Sequence, residues 1–107
     1  MNCRIVFTET AKSDLRDIAF YITNLAKDKN IAIRFVKELQ NTTKILEQFP
    51  ESGAIPQDRV LKSIGYRFLV YKDYLLFYQY SKQENTAYVS AIFNGKRDYM
   101  RVLKKFL

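Results

Sequence analysis

The sequence predicts an α+β domain: an N-terminal strand, then a two-helix antiparallel hairpin packed on a mainly antiparallel sheet of four to five strands, then a short C-terminal basic helix or tail. Three observations carry this. Apolar residues recur at three- and four-residue steps over two stretches of the first half, parted by a polar Asp-Lys-Asn. The second half holds short apolar and aromatic runs parted by turn-forming residues. The chain has 107 residues and is 48% hydrophobic, which suits a single domain over residues 1–107 with one modest core and argues against disorder.

Each element follows from its own residues. CRIVF, residues 3–7, is short, apolar and β-branched, as a strand requires. Thr8 is placed to cap a helix, with Glu9 in the first turn where a negative charge favours the helix dipole. Ala11, Leu15, Ile18, Ala19, Ile22, Leu25 and Ala26 then mark the apolar stripe of a helix of about five turns. Residues 28–30 make the turn, with Asn30 as the expected second cap. A second helix is expected from Ile31 to Gln48, with Ala32, Phe35, Val36, Leu39, Thr43, Leu46 and Phe49 on its buried side, and Pro50 stops it.

PESGAIPQD forms a loop holding both prolines. Four strands are expected after it: a short edge strand at RVLK (59–62), then YRFLVY (66–71), YLLFYQYS (74–81) and TAYVSAIF (86–93). Lys72-Asp73 is a two-residue reversal lacking the glycine such turns favour. The 74–81 run is nearly continuous in apolar and aromatic residues and so belongs at the centre of the sheet. Strand alternation puts Arg67, Leu69 and Tyr71 on one side, with Tyr66, Phe68 and Val70 on the other. Asn94-Gly95 breaks the last strand, and Tyr99, Val102, Leu103 and Phe106 then have helix-compatible spacing. The helix pair covers one sheet face, which leaves the opposite face and the tail for function.

Charge is unevenly spread. Residues 1–58 carry eight Lys/Arg and eight Asp/Glu, whereas residues 59–107 carry ten against three, so the formal +7 comes entirely from the second part. Such asymmetry points to an anionic partner; the plainer alternative is a solubilising face. Composition also excludes chemistry. There is no histidine, so Ser–His, Cys–His and His–metal sites are ruled out. The single Cys3 forms no internal disulfide, reads as a buried strand thiol and fits a reducing cytoplasm. No acidic cluster has metal-ligand spacing, and the three glycines are isolated, so neither a metal nor a nucleotide cofactor is expected. No leader is expected, since the first residues lack a long apolar run, and no apolar run reaches the length of a membrane span.

What remains is basic and aromatic. Arg67 on its strand and Lys96, Arg97 and Tyr99 after the last strand combine guanidinium groups with phenol rings, the groups used to grip phosphates and stack on unpaired bases. In the alternative, Arg67 pairs with Asp73 or Asp98 on the surface, where such pairs contribute only ~0–1 kcal/mol.

The ordered set IVFTETAKSDLRDIAFYI, FPESG, GYRFLVYKDYLLFYQY and AIFNGKRD resembles the RelE/ParE family of bacterial toxins over almost the whole chain. The resemblance implies a growth-inhibiting toxin held inactive by a cognate antitoxin, one that is acidic, to match the +7, and partly disordered when free. It implies one of two targets: DNA gyrase, inhibited by binding in ParE-like members, or the ribosome, where RelE-like members cut mRNA. Carried over from RelE-like members, Arg67 and Arg97 match two RNA-acting positions, with Lys96 beside Arg97. The Arg of the central strand falls at Leu75, and the C-terminal Tyr falls near Leu103, one helical turn after Tyr99. Arg67, Lys96, Arg97 and Tyr99 are therefore the catalytic candidates of a ribonuclease. Lys62, Arg67, Lys96, Arg97, Arg101 and Lys104 are the candidates for contacting a target or RNA. The spacing of the Arg-bearing strand and of FNGKRD is closer to the ParE-like pattern, which favours gyrase; an inactive relative that only binds its antitoxin is a third possibility.

Overall fold

The computed structural model describes residues 2–98; Met1 and residues 99–107 lie outside the described part, and with them Tyr99, Arg101, Lys104 and the expected C-terminal helix or tail. The elements in chain order are β1 (Arg4–Phe7), α1 (Glu9–Ala26), α2 (Lys29–Thr42), a 3-10 helix (Thr43–Glu47), α3 (Arg59–Ser63), β2 (Tyr66–Tyr71), β3 (Tyr74–Ser81) and β4 (Thr86–Asn94). The sheet order is β1-β4-β3-β2, with β1 parallel to β4 and the other pairs antiparallel. This is the expected α+β architecture with four strands.

Local chemistry sets the helix ends. Thr8 Oγ1 accepts the Ala11 N–H at 3.2 Å and starts α1. Lys27 closes it in the left-handed region, at φ 57°. The cap of α2 is Asp28 and not Asn30: the Asp28 carboxylate accepts the Asn30 N–H at 2.8 Å. The second helix also ends its α-helical part earlier than its apolar stripe suggests. The Thr42 and Thr43 hydroxyls donate to the carbonyls of Glu38 and Gln40, at 3.0 and 2.7 Å. Those carbonyls are shared with side chains where the helix tightens into the 3-10 turn.

RVLK is helical and not an edge strand. The Asp58 carboxylate caps it by accepting the Leu61 N–H at 3.0 Å, and Leu61 is buried while Val60 and Ile64 face out. Four residues are too few to fix a period, so the cap decides.

The α1–α2 hairpin covers one sheet face. Leu15, Ile18, Leu39 and Leu46 meet Leu76, Tyr78, Val89 and Ile92, all buried; each such side chain stabilises the fold by ~1.5–3 kcal/mol through its buried apolar area. Buried Cys3 joins this cluster, and burial pushes its thiol pKa up. The opposite face is not left open. Leu61 of α3 lies with Phe77, Ala91 and Phe93 in a second buried cluster, where the Phe68, Phe77 and Phe93 rings stack at centroid spacings of 5.4 Å.

One irregularity shapes β4. Phe77 pairs with Ala91 but Tyr78 pairs with Val89, so Ser90 is an extra, bulged residue. The bulge reverses the side-chain phase: Val89 and Ile92 both face the helices, while Ala91 and Phe93 face α3. With nine residues to the four of β1, β4 also continues past the last β1 pair at Val89. There the Ile92 N–H donates to Asp14 Oδ2 of α1 at 2.9 Å, and the Thr8 hydroxyl donates to the Ser90 carbonyl at 3.4 Å. Replacing Asp14 by alanine strips a partly buried N–H of its acceptor, so we expect a loss of about 1–3 kcal/mol in chemical denaturation. Amide exchange at Ile92 should rise more than exchange at Leu76.

Candidate functional site

The candidate residues fall into two groups at opposite ends of β3. The first is at the β2–β3 turn, where Lys72 takes φ 54° in place of the glycine that this reversal favours. Its ammonium lies 5.5 Å from the Phe35 ring and 5.4 Å from the Tyr71 ring, a double cation–π contact that offsets the left-handed backbone. The Tyr71 hydroxyl donates to the Glu38 carboxylate, which raises the Tyr71 pKa.

The end of β4 is tied to this turn. Gly95 N–H donates to the Asp73 carbonyl at 2.8 Å, and the Lys96 ammonium lies 3.3 Å from the Asp73 carboxylate. The Asn94 side chain accepts the N–H groups of Lys96 and Arg97, at 3.0 and 2.8 Å, and so fixes the basic turn. Arg97 folds back toward the helices. Its guanidinium sits 4.5 Å over the Tyr21 ring of α1 and pairs with Asp98 at 3.3 Å. The Asp98 carboxylate holds Arg97 charged more firmly, and Tyr21 and Tyr74 add to that. A cavity of ≈ 550 Å³ opens beside Arg97 between α1 and the bulged part of β4, lined in part by Asp14, Asp17, Tyr21 and Tyr74.

The second group surrounds Arg67. Arg67 stands opposite Tyr78 in the β2–β3 ladder, while Tyr74 stands opposite Asn94. Four residues of strand, or about 13 Å, separate the two rungs. Arg67 Nη1 donates to the Gly53 carbonyl at 3.1 Å, and Nη2 lies 3.8 Å from the Glu51 carboxylate. The Gly53 N–H donates to the hydroxyl of fully buried Tyr78 at 2.9 Å. Both backbone polar groups of buried Gly53 are thus held, the carbonyl by Arg67 and the N–H by Tyr78.

The structure therefore brings Lys96 and Arg97 together and places Arg67 elsewhere. Each of these cations has a carboxylate neighbour, but the partner of Arg67 is Glu51 rather than Asp73 or Asp98. Lys62 is exposed on α3, on the side of the second apolar cluster. Tyr99, Arg101 and Lys104 lie outside the described residues. Leu75, where the resemblance put the central-strand Arg, packs at the rim of that second cluster. Burial pushes Tyr74 and Tyr78 above the ordinary tyrosine pKa, so both hold their protons at neutral pH.

Tyr21 and Lys72 are the contributors that the sequence did not single out. Tyr21 lies beside the stripe of an amphipathic helix, and only its contact with a turn 76 residues later marks it. Lys72 carried a weak signal, a bulky residue at a reversal that favours glycine. Among the described residues no group of three or more His, Cys, Asp or Glu is placed to hold a metal, and no helix is long and apolar enough to cross a membrane.

Comparison with known proteins agrees with this architecture. The toxin of a chromosomal ParDE system from P. aeruginosa superposes with a TM-score of 0.71 at 19% identity, covering 86% of this chain and 95% of that one. The RelBE2 toxin–antitoxin complex from Mycobacterium tuberculosis gives a TM-score of 0.59 at 19% identity, over 88% of this chain and 99% of that one. A mutant RelE toxin from E. coli in the free state gives 0.57 at 15% identity over 100% of both chains. At these identities the likeness concerns the fold. No curated protein matches the chain in sequence at a significant level. The sequence model for the ParE toxin of the type II toxin–antitoxin system parDE matches residues 5–99. That match runs from β1 through the basic turn, and the chain accordingly belongs to the ParE toxin family of type II toxin–antitoxin systems, within the wider RelE/ParE fold.

Proposed function

We propose that this toxin arrests growth by binding DNA gyrase in the cytoplasm and not by cutting RNA. The observation that carries the reading is the make-up of the basic turn. Lys96 and Arg97 are held for contact with an anionic or hydrogen-bonding surface. Cleavage at a ribose further needs a group to take the 2′-hydroxyl proton. The sequence has no histidine, apolar Leu75 stands where the resemblance places a central-strand Arg, and Tyr74 and Tyr78 are held protonated. The match to the ParE model supports the same side. In this reading Lys96 and Arg97 contact the target, together with Tyr99, Arg101 and Lys104 on the chain that follows, and Arg67 braces the loop at Gly53.

The partner in the resting cell is a cognate antitoxin, as in the ParDE and RelBE2 systems of the structural relatives. An acidic, amphipathic segment suits the exposed apolar side chains Val60, Ile64 and Val70 beside Lys62 on α3 and the outer strand β2.

One preparation tests the target. Purified toxin is titrated into a gyrase supercoiling reaction and, in parallel, into a translation reaction read by primer extension. We expect supercoiling to fall while mRNA on ribosomes stays intact. Intact supercoiling with cuts in the ribosomal A site contradicts the proposal and establishes the ribonuclease alternative.

A further inference from the structure

We propose that Tyr21 is a positioning residue, whose ring holds the Arg97 guanidinium in the orientation that engages the target. The inference rests on the reading of the basic turn as the contact surface, whichever target that surface meets.

Tyr21 is out of place as a core residue. The buried stripe of α1 is Ala11, Leu15 and Ile18, and Tyr21 is 43% exposed. The half-exposed ring has a specific contact: the Arg97 guanidinium lies 4.5 Å from its centroid. Three other contacts limit where Arg97 can go. Its backbone N–H is held by Asn94 Oδ1 at 2.8 Å, its side chain meets Asp98 Oδ2, and it lies close enough to Tyr74 to oppose the rise in that hydroxyl's pKa.

An exposed arginine at a chain turn would otherwise sample many rotamers, and ordering it on binding weakens affinity. A rigid ring with two torsions, carried on an 18-residue helix, removes that freedom in advance. Asp98 cannot do the same, because it sits on the same turn and moves with it. Tyr21 ties the guanidinium to the helical layer. The phenol hydroxyl is not needed for this, since the attraction comes from the ring face.

The test is a double-mutant cycle on Tyr21 and Arg97, with two readouts: growth inhibition under graded expression without antitoxin, and inhibition of supercoiling by the purified chains. Tyr21→Phe is expected to keep potency within about twofold, and Tyr21→Leu to lose roughly three- to tenfold. In an Arg97→Ala background, Tyr21→Leu is expected to add nothing further. Thermal melts should show all five chains, wild type included, folded. Tyr21→Leu effects that multiply with those of Arg97→Ala overturn the proposal, as does Tyr21→Leu with wild-type potency. If the wild-type chain inhibits growth but leaves gyrase untouched, the gyrase reading fails alone, and the cycle in growth inhibition still decides the role of Tyr21.

Discussion

Gly53→Ala is expected to lower stability by about 3 kcal/mol, among the largest effects of any single methyl addition in this chain. A Cβ at Gly53 would come within 2.5 Å of the Tyr78 hydroxyl oxygen and 2.6 Å of Cε1. Tyr78 cannot yield, because it is fully buried between α1–α2 and β4. Overpacking of this kind costs ~1–3 kcal/mol, and the forced shift also weakens the hydrogen bond from Gly53 to Tyr78, whose loss in a buried site adds ~1–3 kcal/mol. For a domain of this size the midpoint of thermal unfolding should fall by roughly 10–20 °C. Arg67→Ala acts on the same residue from the other side. It removes a charged donor from the Gly53 carbonyl, so we expect about 1–2 kcal/mol of destabilisation. The Glu51 pair contributes little of this, since both partners are partly exposed at 3.8 Å. Calorimetry on both variants checks these values.

Arg97→Ala is expected to have the largest effect on activity, a loss of at least ~30-fold in inhibitory potency with little change in melting temperature. Truncation of an arginine anchor at an interface commonly costs 2 kcal/mol or more, and 1.4 kcal/mol corresponds to tenfold. The side chain is 47% exposed, so the fold does not depend on it. Arg97→Lys separates charge from shape. Lysine keeps the charge but not the planar fork, and it loses the guanidinium's stacking on Tyr21. An intermediate loss is therefore expected, measured as the toxin concentration that halves the supercoiling rate.

The fold was largely legible in the residues, because its signals are local. Thr8 caps α1 as its chemistry requires, and the alternation in YRFLVY puts Leu69 and Tyr71 on one side, which the structure shows to be the helix face. The misreadings are local conflicts. RVLK has strand-like residues but is governed by the Asp58 cap, and Thr42-Thr43 tightens a helix whose apolar stripe continues past it.

The site was legible only in part. Lys96 and Arg97 are adjacent in sequence, so their meeting was assured. Arg67 shares their charge but not their place, because its register with Tyr78 and the bridge between Ala54 and Phe68 bring the Gly53 loop to it. Likewise Tyr21 reaches Arg97 because β4 continues beside α1 past the end of β1 to the basic turn. Such placements come from pairing between distant segments, which composition and periodicity do not encode.

The division of labour between the two arginines is the centre of this account, and one comparison tests it most directly. Inhibitory potency per folded molecule is measured for Arg67→Ala and Arg97→Ala, at a temperature where both are folded by circular dichroism. The account predicts potency within about twofold of wild type for Arg67→Ala and a loss of at least ~30-fold for Arg97→Ala. A fully folded Arg67→Ala chain without activity, beside an Arg97→Ala chain of normal potency, would contradict it.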